Sequence, residues 1–131
     1  MRIWHKNLIP VLPRQQLLGQ WRECCLIAKK DCKPNHVLVN AVTMYPKDHF
    51  YTYCKMIKQE MLRRGYKVSY AAEAMIFHEL WDYIPNKLLF IGWHNDRYLQ
   101  QCLANLQEKA DCGAIPPDEW KKIAEKYPEW K

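Results

Sequence analysis

The stretch Arg14-Gln15-Gln16-Leu17-Leu18-Gly19-Gln20-Trp21-Arg22-Glu23-Cys24-Cys25-Leu26-Ile27-Ala28 decides how the fold is read. Leu17, Trp21, Cys25 and Ala28 recur at steps of three and four, the period of an amphipathic helix rather than the alternation of a strand. Pro13 suits the first turn of such a helix, where a missing N–H costs nothing. Helix is therefore expected from Arg14 to about Lys30, with those four residues toward the core. Gln16, Gly19, Glu23 and Leu26 form a neighbouring stripe, with Gln15 and Arg22 beside it. That stripe is largely polar, and the glycine in its middle would let another chain approach closely.

Toward the N-terminus, Pro10 and Pro13 keep residues 1–13 from forming one continuous helix, so this segment reads as an arm. On the other side, Asp31 to Tyr45 fits two readings, a β-like Val37-Leu38-Val39 or a short buried helix. A clear helix follows from Asp48 to Arg64. Asp48 is its expected N-cap, Phe50, Cys54, Ile57 and Met61 form its apolar stripe, and Gly65 stops it. Ser69 to Asp82 and Asn95 to Ala110 read as helices, the latter with Leu99, Leu103, Leu106 and Ala110 on one face. Pro116-Pro117-Asp118-Glu119 opens a last short helix that Pro128 ends. The fold class expected is all-α, a compact single domain of four to five helices over residues 1–131, a length suited to one core.

Composition narrows the partners. The net charge is +6, from 20 Lys plus Arg against 14 Asp plus Glu, which favours an anionic partner. The four glycines are too far apart for a phosphate cradle. The apolar runs are too short for a bilayer and the first residues lack a signal-peptide core, so a cytoplasmic protein with no membrane contact is expected. In that compartment the six cysteines read as reduced thiols, mostly small core hydrophobes.

Side-chain catalytic sets are missing: no G-x-S-x-G, H-E-x-x-H or C-x-x-C occurs. Cys24, Cys25, Cys32 and His36 match no familiar zinc spacing, so no metal is expected. The five scattered histidines read as surface or hydrogen-bonded structural residues. Arg22-Glu23 has two readings, a solvated pair flanking Trp21 or a carboxylate beside a phosphate-binding arginine. Periodicity alone does not choose between them.

The residues Arg2-Ile3, Leu8, Leu12, Gln15, Leu17 and Trp21-Arg22-Glu23 resemble the opening of the pyrimidine-dimer DNA glycosylase/AP lyase family, the endonuclease V-like enzymes. Glu60-Met61-Leu62-Arg63-Arg64-Gly65-Tyr66 is similar to that family's helix ending in L-x-R-G-aromatic. Met1 to Cys25 also resembles a bacterial branch related to the family. The resemblance covers about half the chain and implies a compact all-α fold. It also implies a chemistry that needs no side-chain nucleophile, metal or cofactor. The nucleophile would be the α-amine of Met1, retained because Arg2 is too large for removal of the initiator methionine. An α-amine with a pKa near 8 is roughly a tenth neutral at pH 7, against about one lysine in a few thousand. Glu23 would be the essential carboxylate, and Arg2, Arg14, Gln15, Gln16 and Arg22 would contact DNA. The expected substrate is double-stranded DNA with a damaged or abasic site, and the expected state is a monomer. Two family positions differ: a histidine of the first helix is Gln16 here, and an arginine after the glutamate is Leu26. The rival reading is a non-catalytic nucleic-acid-binding helical module.

Overall fold

A computed structural model of the chain describes residues 2–29 and 37–130. A 3-10 helix over Lys6–Val11 is followed by α1 (Arg14–Ala28), α2 (Val37–Val42), α3 (Lys47–Arg63), α4 (Tyr70–Ile76), α5 (Asp96–Asp111) and α6 (Pro117–Lys126). A final 3-10 turn spans Pro128–Trp130. No strand occurs among the described residues, so the fold is all-α. Of the two readings for 31–45, the helical one holds over Val37–Val42, while residues 30–36 lie outside the described chain.

Helix boundaries shift from the sequence reading for identifiable reasons. Pro13 caps α1 rather than entering it, and its carbonyl accepts the Leu17 N–H at 2.9 Å. Pro46, not Asp48, precedes the first residue of α3, and Asp48 sits in the first turn, where a carboxylate favours the helix dipole. Gly65 ends α3 as expected. At φ +87° it lets Tyr66 donate back to Met61 at 2.9 Å and Gly65 to Leu62 at 3.0 Å, closing a Schellman motif.

The helix expected over Ser69 to Asp82 stops at Ile76. Ser69 caps its start, but beyond Phe77 the backbone turns to side chains of α3. Asp82 donates to Asp48 Oδ1 at 3.3 Å and Ile84 to Thr52 Oγ1 at 3.0 Å. Those acceptors make it possible to leave the helical ladder without stranding N–H groups. Asn95 caps α5, its Oδ1 taking the Tyr98 N–H at 2.9 Å.

One contiguous buried cluster runs from Ile3 in the arm to Ile123 in α6. α1 packs on α3 and α4, and α6 lies against α5 and the first 3-10 helix. The buried side of α1 is Leu17, Gln20, Trp21 and Cys24. Cys25 and Ala28, expected in the core, are only half-buried, so the inward face is rotated toward Gln20 and Cys24. Cys54 and Cys102 are fully buried as expected, whereas Cys112 is exposed; Cys32 lies outside the described residues.

Candidate active site

The arm is buried and tied down. Ile3 and Trp4 are almost inaccessible, at 1% and 6%. The Trp4 N–H donates to Gln20 Oε1 at 2.8 Å. The Tyr53 hydroxyl lies 2.6 Å from the Trp4 carbonyl and 3.0 Å from Gln20 Oε1. The Tyr98 hydroxyl donates to the Ile3 carbonyl at 2.6 Å, and the Lys6 N–H donates to His94 Nδ1 at 3.0 Å. Helices α1, α3 and α5, with the turn before α5, thus each fix one point of the arm.

Gln20 then reaches the candidate carboxylate, its Nε2 donating to Glu23 Oε2 at 3.2 Å. The pair is three residues apart on α1, where side chains meet on one face. Glu23 is half-buried and Arg22 exposed. A Cβ added at Gly19 would meet only the Arg22 guanidinium, at 3.7 Å. The glycine in the polar stripe therefore keeps one turn of α1 low beside Arg22 and Glu23, open to an approaching chain. Leu26, where the resemblance implies an arginine, is 44% exposed.

The sequence-predicted residues form two groups. Arg22 and Glu23 lie toward the C-terminal half of α1, with the arm joined to Glu23 through Gln20. The Arg2 guanidinium sits 5.6 Å over the Trp4 ring, so it shares that end of the molecule. Arg14, Gln15 and Gln16 occupy the first turn of α1, and about 12 Å of helix axis separates Arg14 from Arg22. Arg14 N donates to Glu119 Oε1 at 2.6 Å, and its guanidinium lies 5.7 Å over Tyr66. Gln15 and Gln16 line a groove of about 350 Å³ with Ile115 and Pro116. Gln16 Oε1 is buried there without a hydrogen-bond partner. Met1 lies outside the described residues.

Sequence reasoning missed Gln20, Tyr53, Tyr98 and His94. A signal for Gln20 existed, since Leu17, Trp21 and Cys24 place it on the same inward face. The three anchors, on α3, on α5 and in the turn before α5, carried no local signal.

Beneath the arm the histidines are structural. His5, His49 and His94 are buried, and each accepts a backbone N–H through Nδ1, from Asn7 at 3.1 Å, Phe90 at 3.0 Å and Lys6 at 3.0 Å. Burial lowers all three pKa values, that of His94 to about 2. They are neutral at physiological pH, and His78 is the exposed exception among the described ones. The Lys6 amine is buried too, donating to the carbonyls of Leu89 (2.8 Å) and Asn86, and burial lowers its pKa. At the end of α3, burial opposes ionisation of Glu60. Hydrogen bonds from Arg63 (2.9 Å) and Arg64 (2.6 Å) outweigh it and hold the carboxyl below its usual range. Arg64 also donates to the Ile9 carbonyl at 3.2 Å, so the Arg-Gly-Tyr helix end braces the arm's 3-10 helix.

The model of the family described as pyrimidine dimer DNA glycosylase matches residues 1–74, more than half the chain. The chain belongs to this DNA glycosylase family. No curated protein and no solved structure matches it. The match takes in the arm, α1, α2 and α3, and therefore Gln20, Glu23 and Tyr53. Tyr98 and His94, which hold the arm from the other side, lie beyond it. Among the described residues no three His, Cys, Asp or Glu side chains are grouped to hold a metal ion. No helix there is long and apolar enough to cross a membrane.

Proposed function

We propose that the protein excises a damaged base from duplex DNA and cuts the strand as an AP lyase, through a Schiff base on the α-amine of Met1. The amine attacks C1′ of the damaged nucleotide, and the glycosidic electron pair leaves with the base, which takes up a proton. Ring opening gives the Schiff base. Loss of a C2′ proton then expels the 3′-phosphate by β-elimination, and water releases the amine. Glu23 stabilises positive charge at the sugar carbon and carries protons during ring opening and elimination. Arg22 clamps a flanking phosphate, with Arg2, Arg14, Gln15 and Gln16 as further DNA contacts. The nucleotide must leave the stack to be reached.

The observation that carries this reading is the arm itself. Residues 3–6 are buried and joined by one glutamine to the carboxylate that the chemistry requires. Family membership over residues 1–74 supports the substrate class.

Borohydride trapping on an abasic-site duplex tests the proposal. The untagged chain forms a covalent adduct, and the N-terminally acetylated chain does not. Failure of the untagged chain on every abasic and irradiated duplex overturns it. Glu23→Gln keeps duplex binding and loses strand cleavage by about 10²- to 10⁴-fold; unchanged cleavage removes Glu23 from the mechanism.

A further inference from the structure

Gln20 is 1% exposed, and its amide has only one workable orientation. The Trp4 N–H can only donate, so the atom 2.8 Å away must be the amide oxygen. The Tyr53 hydroxyl, 3.0 Å away, shares its one proton between that oxygen and the Trp4 carbonyl. Turning the amide over would set two donors against each other at Trp4. The NH₂ group is thereby forced to the opposite side, and there it meets Glu23 Oε2 at 3.2 Å. An acceptor alone would have sufficed to hold the arm. What the amide adds is a donor directed at Glu23 from the same rigid plane.

We propose that Gln20 is a positioning residue that sets the chain's first segment and the Glu23 carboxylate in fixed register, its Oε1 holding the Trp4 N–H while its Nε2 holds Glu23. This rests on the reading of Met1 and Glu23 given above. Two consequences follow from the geometry. The arm cannot slide along α1 without breaking the Trp4 bond, so residues 3–6 keep their place beside the helix. The amide donor also favours the ionised form of Glu23, the form that stabilises a cationic sugar carbon.

The test is the single-turnover rate of borohydride trapping on an abasic duplex between pH 5 and 9, for the untagged wild type, Gln20→Met and Gln20→Glu. Duplex affinity and thermal melting are measured beside it. Gln20→Met, similar in shape but without the hydrogen bonds, is expected to trap about 100-fold more slowly. Its duplex affinity stays unchanged, and the acid limb of its pH profile moves up by about one unit. Gln20→Glu keeps both acceptor bonds and replaces the donor with a second carboxylate. It is expected to recover part of the rate while its acid limb moves further up, because like charges resist ionising together. A folded Gln20→Met with the wild-type rate and acid limb overturns the proposal. Should melting show that Gln20→Met does not fold, an unmoved acid limb in Gln20→Glu overturns it instead. Absence of trapping by the wild type is a separate result: it defeats the Met1 reading, and the role of Gln20 falls with it.

Discussion

Two irregular regions of this molecule have opposite fates. The arm before α1 and the segment from His78 to Gly92 both lie outside the α-helices, and both carry large apolar side chains. The arm is buried at Ile3, Trp4, Leu8, Ile9 and Leu12, whereas the later segment exposes Leu80, Tyr83, Leu88 and Ile91. Both find backbone partners, and the difference lies in how much of their apolar surface joins the core. Arm groups at Ile3, Trp4 and Lys6 bond to side chains of four other parts of the fold. The later segment is pinned as well: Asp82 and Ile84 on α3, Asn86 and Leu89 under Lys6, Phe90 on His49, and Ile91 on Tyr45. Leu89 and Phe90 are buried and Trp81 and Ile84 half-buried, while the side chains between them face solvent. Irregular backbone becomes part of a core when its apolar side chains are buried as well as its polar groups satisfied.

That contrast can be broken from the arm. Trp4→Ala should have the largest effect, a loss of about 3–5 kcal/mol of stability, because it empties a buried aromatic site at the anchored point. Denaturant unfolding measures it; a loss below about 1 kcal/mol would mean that the arm is not part of the core. Tyr53→Phe comes next. It removes the hydroxyl shared by the Trp4 carbonyl and Gln20 and should cost about 1–3 kcal/mol, together with slower trapping on abasic DNA. Normal trapping at reduced stability would confine Tyr53 to the core.

His94 gives a smaller, pH-dependent effect. Burial holds its folded-state pKa at about 2, below the ordinary 6.5, so the unfolded chain binds the extra proton in between. Its contribution is complete above pH 6.5 and is lost as pH falls, approaching about 1.4 kcal/mol per pH unit. Melts between pH 7 and 5 should show that slope, and His94→Gln should flatten it. An unchanged slope in the variant would assign it to other groups, His5 and His49 first. Leu80→Ser, at the exposed end of the comparison, should move stability by no more than about 0.5 kcal/mol. A larger loss would show that the later segment buries Leu80 against something.

How far the sequence could be read differs along the chain. Helical periodicity located α1, α3, α5 and α6 to within a few residues, because an apolar stripe is a local pattern. Gly65 was legible as a stop because only its positive φ lets the last carbonyls of α3 be capped. The end of α4 was not, because the acceptors at Asp48 and Thr52 that draw the chain out of the helix belong to α3. The inward face of α1 was misjudged for a related reason. Gln20 is polar and so was passed over for the core, yet the arm supplies the hydrogen bonds that make its burial tolerable.

The sequence by itself determined an all-α chain with a basic surface, and placed Arg22 and Glu23 together on its first long helix. Those properties depend on residue type and spacing within a single segment. Only the tertiary structure decided that the arm is held against that helix through Gln20. The groups that meet there, Trp4, Gln20, Tyr53, His94 and Tyr98, lie up to 94 positions apart. Their pairing gives the arm's buried backbone groups at Ile3, Trp4 and Lys6 partners that exist only once the helices have packed.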